Sequence, residues 1–172
     1  MTVIVGVAHN NKVYIGGDRG ASETGYLGSA HNPKVFRTGN LLIGGSGSAG
    51  TMQLIQSLTY TKPDPKDLNR WIRMDFCRTI QEQAEVWKID LMDRALSDFL
   101  LGVEGKLFEI STEDWSAFEY TEIATGSGYR YALGSLYSTR DWDNPRQRVK
   151  EALQAAIEYS NECSAPIDIL VL

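Results

Sequence analysis

The chain has 172 residues, of which 42% are hydrophobic and 23% are charged, and its formal net charge is −5. This composition is typical of a globular protein and predicts a single domain over residues 1–172 that can bury a core. The acidic balance argues against a nucleic-acid partner, and no apolar run approaches the ~20 residues of a membrane helix. The start does not resemble a signal peptide and the two cysteines lack metal-ligand spacing, so we expect a cytoplasmic protein with reduced thiols.

Two predicted hairpins open the chain. Their four strands, apolar or alternating in pattern, span residues 3–8, 13–17, 34–38 and 41–45. Asn10-Asn11 in the first turn suits the left-handed conformations of a tight hairpin. The polar, Gly-rich residues 18–33 between the hairpins predict a surface loop. An antiparallel start of this kind argues against a chain built from βαβ units.

Two helices are predicted after the second hairpin. A Gly/Ser stretch at residues 45–50 leads into a short helix that is broken by Pro63 and Pro65. A long helix is predicted from Asp67 to about Asp93, because apolar residues recur there at intervals of three and four. Its apolar positions, which we expect to lie in the core, are Leu68, Trp71, Ile72, Phe76, Ile80, Ala84 and Trp87.

The second half of the chain repeats this order of strands followed by two helices. Its predicted elements are strands over 99–103, 106–110, 118–125 and 167–172, and helices over 129–138 and from Pro145 onwards. Asn144 is the expected N-cap of the last helix, with Pro145 at its first position. Pairs of helices between runs of antiparallel strands predict an α+β fold. We expect a four-layer αββα sandwich, with two sheets face to face and the helices outside.

Thr2, directly behind Met1 and in front of the first strand, is the first candidate for chemistry. If Met1 is removed, Thr2 carries a hydroxyl and a free α-amino group on one residue, which is a nucleophile with its own base. Antiparallel pairing returns the end of the second strand, Asp18, to the side of Thr2. Lys34 begins the third strand, and a buried ammonium there would pair with Asp18 and favour loss of a proton from a neighbouring hydroxyl.

The Gly/Ser stretch at residues 45–50 has two interpretations. At the start of a helix, its backbone N–H groups can receive an oxyanion, because a helix N-terminus carries partial positive charge. The same residues match the G-x-G-x-x-G pattern of dinucleotide-binding proteins. We reject that second interpretation, because hairpins precede the stretch and another helix follows it, where a dinucleotide fold requires a parallel strand.

Taken one at a time, these residues have ordinary interpretations. A threonine at position 2 is common in proteins, Asp18 can cap a turn, and Lys34 can be a solvated charge on an edge strand. The chemical hypothesis depends on their occurring together.

The chain resembles proteasome β-type subunits and the HslV-like bacterial proteasome homologues, which are N-terminal-nucleophile (Ntn) hydrolases. The resemblance runs from residue 2 to residue 172, and the spacings of Thr2, Asp18 and Lys34 match once Met1 is discounted. The segments that carry it are residues 2–7, 16–19, 33–35, 43–45 and 124–134, together with the closing strand.

The resemblance implies a threonine-type endopeptidase, a subunit of a self-compartmentalised, proteasome-like protease. Thr2 would be the nucleophile after removal of Met1 by a methionine aminopeptidase, and its α-amine would accept the hydroxyl proton. The other residues implied are Asp18, Lys34, Ser127 and Ser164 in catalysis, the backbone N–H of Gly47 or Ser48 in the oxyanion hole, and Ala21, Ser22 and Ser46 in substrate contacts. No metal and no cofactor is implied.

The implied partners are protein or peptide substrates, further copies of the chain in a homo-oligomeric ring, and an ATPase unfoldase. A nucleic acid or a membrane is not expected. One residue departs from the family: Asn161 stands three positions before Ser164, where many proteasome subunits have an aspartate that supports the α-amine. Two alternatives therefore remain open. One is a non-catalytic ring or scaffold subunit of the same fold, and the other is an Ntn amidase that acts on a small molecule.

Overall fold

Two antiparallel sheets lie face to face in the computed structural model, which describes residues 2–23, 26–89 and 98–172. The strands are β1 (Ile4–His9), β2 (Lys12–Asp18), β3 (Gly20–Glu23), β4 (Tyr26–Ser29), β5 (Val35–Thr38), β6 (Leu41–Gly45), β7 (Asp98–Val103), β8 (Lys106–Ser111), β9 (Ala117–Tyr120), β10 (Glu122–Thr125) and β11 (Ile167–Val171). The first sheet has the order β10-β1-β2-β11 and the second the order β5-β6-β7-β8-β9. Strands β3 and β4 form a separate hairpin.

The helices lie in two groups along the chain. They are α1 (Ala49–Ser57), α2 (Leu68–Trp71), α3 (Arg78–Trp87), α4 (Tyr129–Ser138) and α5 (Pro145–Tyr159). A π-helical segment, Ile72–Cys77, joins α2 to α3 without a break. In the described part of the chain, no helix is both long enough and apolar enough to cross a membrane.

Three apolar clusters lie between the layers. The outer face of the first sheet packs on α4 and α5, through residues such as Val5 and Leu153. The outer face of the second sheet packs on α1 and on the helical segments from α2 to α3, through residues such as Ile43 and Phe76. The cluster between the two sheets contains Ile4, Val13, Ile15, Val35, Leu42, Leu100 and Leu107. These layers confirm the expected αββα sandwich.

Strand β1 is the part of the fold that positions the site. It pairs with β10 on one side and β2 on the other, so it lies in the interior of its sheet. Val3 and Val5 belong to the cluster under the helices, whereas Ile4 belongs to the cluster between the sheets. Burying each such aliphatic side chain is worth about 1.5–3 kcal/mol. The backbone that follows Thr2 is therefore fixed on both faces.

The predicted tight turns and both caps of the last helix are confirmed. Asn10 and Asn11 have φ of 49° and 58° between β1 and β2. The Asn144 side chain accepts a hydrogen bond from the backbone N–H of Gln147, and Pro145 begins α5. Both cysteines, Cys77 and Cys163, are buried and free.

Two predictions about strands were wrong. Residues 18–33 were expected to form a loop, but β3 and β4 pair there with Gly20 opposite Ser29. Their backbone groups satisfy one another locally, which a polar composition does not reveal. The single strand expected over 118–125 is two strands: β9 belongs to the second sheet and β10 to the first. The chain crosses between the sheets at Thr121, whose carbonyl accepts a hydrogen bond from the N–H of Ala8.

The long helix differs from its prediction at its end. It stops at Trp87, and Lys88 has a left-handed φ of 53°. Residues 90–93 of the predicted helix lie outside the described residues. Trp87 was expected in the core but is 69% exposed, and its neighbour Val86 is 70% exposed. The last turn of α3 therefore lies outside the core that the earlier apolar positions enter.

Candidate active site

Thr2 lies buried at the head of β1, where the turn 126–128 holds its backbone. Its N–H donates to the Ser127 Oγ at 3.1 Å. Its carbonyl accepts from the Ser127 hydroxyl at 3.3 Å and from the Gly128 N–H at 3.2 Å. Gly126 has a φ of +86°, and a Cβ there would lie 2.4 Å from the Thr2 carbonyl oxygen. This turn therefore requires glycine at 126 in order to approach Thr2 so closely.

Asp18 lies fully buried at the end of β2, beside the residue that follows Thr2. Four donors reach its carboxylate: the N–H of Val3 (3.0 Å) and the Lys34 Nζ (2.9 Å) on Oδ1, and the N–H groups of Gly20 (2.8 Å) and Ser164 (3.1 Å) on Oδ2. The carboxylate thus connects the starts of β1 and β3 to Lys34 and to the segment before β11. The predicted proximity of Asp18 to the start of β1 is present, because Ile4 pairs with Gly17 in the hairpin.

Lys34 forms the predicted ion pair with Asp18, and its side chain is 17% exposed. Its carbonyl accepts a hydrogen bond from the Gly45 N–H at 3.1 Å, at the end of β6. Lys34 is therefore fixed at both ends, by Asp18 at its ammonium group and by β6 at its backbone. Because the Asp18 carboxylate has no exposed surface, removing either partner of this pair leaves a costly unpaired charge.

The Gly/Ser stretch forms the turn from β6 into α1. Gly47 has a φ of +96°, which favours glycine, and Ser48 is the N-cap of α1. The Ser48 side chain accepts from the Thr51 N–H at 3.4 Å. Ser46 donates its N–H (3.0 Å) and its hydroxyl (3.1 Å) to the carbonyl of Asp98 at the start of β7. The turn is thus anchored to the second sheet while its backbone borders Thr2.

The remaining predicted residues lie around the β3–β4 hairpin. Ala21 is exposed on β3, and Ser22 pairs with Leu27 along the hairpin, its side chain lying outside the described part. The Ser164 hydroxyl donates to the Gly28 carbonyl at 3.5 Å. Asn161, which stands where many proteasome subunits have an aspartate, is exposed.

Two cavities meet at Thr2 and Gly47. The first, which we call the lysine cavity, is about 300 Å³ and is lined by residues that include Ala21, Lys34, Phe36 and Met52. The second, which we call the acidic cavity, is about 600 Å³ and is lined by residues that include Ser46, Asp98, Glu109, Ser127 and Tyr129. A residue with a nucleophilic side chain therefore stands between two spaces that can hold the two sides of a ligand.

Sequence reasoning missed four residues of the site. Asp98 and Glu109 line the acidic cavity, and burial together with the charge of Asp98 raises the pKa of Glu109. Gly20 donates to Asp18, and a Cβ there would lie 2.6 Å from the carboxylate. Gly126 approaches Thr2 in the same way. The available signal was the pair of acidic residues at positions of β7 and β8 that alternate with buried leucines.

A metal centre is not indicated in the part of the chain that the structure describes. Residues 2–23, 26–89 and 98–172 contain no group of three or more His, Cys, Asp or Glu side chains that could hold an ion. The chemistry available at Thr2 within these residues is that of a hydroxyl, a lysine–carboxylate ion pair and backbone donors.

The comparisons with known proteins agree on the fold. The sequence matches no protein-family model and no curated protein. Among solved structures, a Thiobacillus denitrificans BPH in complex with epoxomicin has a TM-score of 0.84 at 20% identity, covering 99% of this chain and 97% of that one. A second structure of Thiobacillus denitrificans BPH gives 0.82 at 22% identity, with coverage of 99% and 97%. The eukaryotic HslV from Trypanosoma brucei gives 0.72 at 19% identity, with coverage of 99% and 98%.

Likeness at this level of identity establishes architecture and leaves activity to be argued from the site. The coverage is nearly complete in both directions, so the whole arrangement of sheets and helices is shared. The chain therefore has the fold of the BPH and HslV proteins, which is the four-layer αββα sandwich that the sequence predicted.

Proposed function

We propose that the chain is a threonine-type endopeptidase subunit of a proteasome-like protease, with Thr2 as the nucleophile once Met1 has been removed. The observation that carries the proposal is the setting of Thr2. Its nitrogen lies 3.1 Å from the Ser127 hydroxyl, its neighbour Val3 donates to the carboxylate that pairs with Lys34, and two cavities meet at it.

The first half of the reaction is acylation of Thr2. The Thr2 hydroxyl oxygen attacks the peptide carbonyl carbon while its α-amine, directly or through a water, accepts the hydroxyl proton. An α-amino group has a pKa of about 8, so a usable fraction is neutral at physiological pH. The tetrahedral oxyanion lies near the N–H of Gly47 or Ser48, at the positive end of α1. The protonated amine then gives its proton to the leaving nitrogen, which leaves an ester on Thr2.

The second half is hydrolysis of that ester. Water attacks the acyl carbon, the α-amine again takes the proton, and the Thr2 oxygen leaves and recovers a proton from the amine. Ser127 orients the amine in both halves, in keeping with its hydrogen bond to the Thr2 nitrogen. Ser164 contributes through its N–H on Asp18.

Lys34 and Asp18 have separate roles in this proposal. The Lys34 ammonium stabilises negative charge as it develops on the Thr2 oxygen. Asp18 holds Lys34 in place, because its carboxylate already receives four donors and has no exposed surface. We therefore assign the base to the α-amine and not to Asp18.

The lysine cavity is the proposed site for an uncharged side chain on the acyl side of the scissile bond. Phe36 and Met52 supply apolar surface, and Ala21 leaves room beside them. A Cβ on Gly45 would lie 2.1 Å from the Met52 sulfur, so Met52 occupies the space over that glycine. The size of the occupant is limited by Met52.

We also propose that copies of the chain assemble into a homo-oligomeric ring, fed by an ATPase unfoldase. Exposed aromatic residues on the outer helices support assembly: Tyr131 on α4 and Tyr159 on α5 are 46% and 70% exposed, with ring centroids 6.2 Å apart. Exposed aromatic pairs of this kind are common at protein–protein contacts. Light scattering after size exclusion measures the assembly directly.

The decisive experiment is intact-mass spectrometry of the purified full chain, combined with peptidase assays and with epoxomicin, the compound in complex with the Thiobacillus denitrificans BPH. We expect a mass that lacks methionine, cleavage of a casein-derived peptide pool, inhibition by epoxomicin, and loss of activity by at least 1,000-fold in Thr2→Ala. The matched control is Thr59→Ala, which changes an exposed threonine away from the site. Retention of Met1 on the assembled protein, or full activity in Thr2→Ala, would contradict the proposal.

A non-catalytic ring or scaffold subunit is the second candidate. It is favoured by the exposed Asn161, which brings no carboxylate to the α-amine. The peptidase assays separate the two candidates, because an aminopeptidase removes Met1 in front of the small Thr2 in either case, whereas only a catalytic subunit shows cleavage that is lost in Thr2→Ala. If an Asn161→Asp variant cleaves peptides faster and assembles in the same way, this result would support the catalytic candidate.

A further inference from the structure

The acidic cavity is the opening of the space between the two sheets, beside Thr2. Along β7 and β8, side chains alternate between the two faces of the sheet. Leu100 and Leu107 lie on the face that packs against the first sheet. Asp98 is two residues from Leu100, and Glu109 is two residues from Leu107 and directly opposite Leu100. The face of the second sheet that carries these two leucines thus also carries the two carboxylates.

The two carboxylates border the same space as the nucleophile. Asp98 and Glu109 line the cavity of about 600 Å³ that also contains Thr2 and Ser127 in its wall. Ile123 and Thr125, on β10 of the first sheet, form the opposite wall. Both carboxylates are half-buried, so they combine access to a ligand with a site partly shielded from water. Thr2 and the two carboxylates therefore border one continuous space.

The charged side chains in this cavity are of one sign. Among the described residues that line it, none is lysine or arginine. Within the described part of the chain, neither Asp98 nor Glu109 forms an ion pair, whereas Asp18, Glu122 and Asp168 pair with Lys34, Arg148 and Arg19. Burial and the neighbouring charge of Asp98 raise the pKa of Glu109, which reflects the cost of holding two carboxylates together without a cation.

We propose that the acidic cavity binds the cationic side chain of a lysine or arginine in the substrate, next to the scissile bond, with Asp98 and Glu109 as its specificity-determining residues. The inference rests on the proposed function and adds a substrate class to it. Such a side chain has an apolar stem and a charged end, which matches a cavity whose wall combines the apolar Ile123 and Leu133 with two carboxylates. The lysine cavity, with an ammonium already in its wall, takes the uncharged side chain on the other side of the bond.

The first test is a comparison of quenched fluorescent peptides cleaved by the full chain. The peptides share one sequence and carry a single lysine at successive positions around the cleaved bond, each matched by a peptide with glutamine there. We expect one position at which lysine raises kcat/KM at least tenfold over glutamine. That preference should fall to less than threefold in Asp98→Asn combined with Glu109→Gln, because kcat/KM falls more for the lysine peptide than for the glutamine peptide.

The control variant is Glu119→Gln, which removes an exposed carboxylate that pairs with Lys106 on the surface. It has the same change in net charge as Glu109→Gln and should leave the lysine preference intact. Cleavage without any preference for lysine, or a preference that survives the double substitution, would overturn the inference while leaving the peptidase proposal in place.

The second test does not require activity. Thr2→Ala is titrated with the lysine and glutamine peptides, each labelled, and binding is followed by fluorescence anisotropy. We expect the lysine peptide to bind at least fivefold more tightly, and the difference to vanish when Asp98→Asn and Glu109→Gln are added. Equal binding of the two peptides would overturn the inference. If no variant cleaves any peptide but the lysine peptide still binds through the two carboxylates, the peptidase proposal fails and the cation site stands.

Discussion

The two cavities beside Thr2 hold buried charge in opposite ways. On one side, the fully buried Asp18 receives four donors and pairs with Lys34. On the other side, Asp98 and Glu109 stand together without an ion pair among the described residues. Charged groups that are paired and hydrogen-bonded hold one another in a fixed geometry, whereas carboxylates without an ion pair can bind a ligand of opposite charge. The comparison suggests that the first side serves the nucleophile and the second side serves recognition.

The largest expected effect on stability and activity comes from removing the charge of Asp18. Asp18→Asn keeps the size of the side chain but leaves the Lys34 ammonium without its buried partner. We expect a loss of about 3–5 kcal/mol in the free energy of unfolding, measured by chemical denaturation, together with loss of peptidase activity. Glu119→Gln, which breaks the exposed pair with Lys106, should cost less than about 1 kcal/mol. Equal costs for the two variants would contradict the description of Asp18 as the centre of the network.

A smaller effect is expected from the turn that holds Thr2. Gly126→Ala places a Cβ 2.4 Å from the Thr2 carbonyl oxygen at a left-handed φ, so the turn must shift. We expect destabilisation by about 1–3 kcal/mol and a fall in kcat with little change in KM, because the nucleophile is displaced while the cavities remain.

The control for this turn is Gly134→Ala in α4, where a Cβ meets nothing within 4 Å. Because alanine is a better helix former than glycine, this variant should be more stable by about 0.5–1 kcal/mol, with unchanged kinetics. A Gly126→Ala protein as active and as stable as Gly134→Ala would show that the contact with Thr2 is not limiting.

The smallest expected effect among the site variants, and the only stabilising one, comes from removing the Glu109 carboxylate. The pKa of Glu109 is raised above its ordinary value of 4.5 in the folded chain, so the ionised form is disfavoured by folding. This cost is absent below pH 4.5 and grows as the pH rises through the folded pKa. Glu109→Gln should therefore raise the melting temperature at pH 7 by about 1–3 °C.

The same variant compared with wild type at pH 4 gives the control, because Glu109 is then mostly protonated in both states and most of the difference should disappear. A protein destabilised at pH 7 by Glu109→Gln would mean that the carboxylate has a partner that holds the fold together. The expected gain in stability fits a residue retained for recognition, since such sites commonly reduce stability.

The satisfied side of the site was accessible to sequence reasoning. Thr2 and Asp18 are connected by one short hairpin, so the alternation of β1 and β2 and the turn at Asn10-Asn11 suffice to bring them together. Local patterns of this kind determine register, and register determines which side chains meet. Lys34 is different, because it precedes β5 of the second sheet and meets Asp18 of β2 only when the two sheets are stacked. Its place beside Asp18 was a hypothesis that the resemblance supported.

The unsatisfied side was not accessible in the same way. Asp98 and Glu109 become part of the site only when the two sheets are stacked and the chain crosses between them at Thr121. A continuous strand over 118–125 hides that crossing, and with it the wall of the acidic cavity. Trp87 was wrongly predicted to be buried for a related reason. Helical spacing shows that a residue lies on the apolar face of a helix, but it does not show where the helix extends past the sheet that covers this face.

The hydrogen bond from the Ser164 N–H to Asp18 joins residues 146 positions apart, and β11 completes the sheet on the far side of β2. During synthesis, which proceeds from the N-terminus, Ser164 leaves the ribosome 162 residues after Thr2. Thr2 is therefore present long before Asp18 has all of its donors. A nascent or truncated chain carries the hydroxyl without the assembled site, so under the proposed function no activity is expected until the sheet is closed.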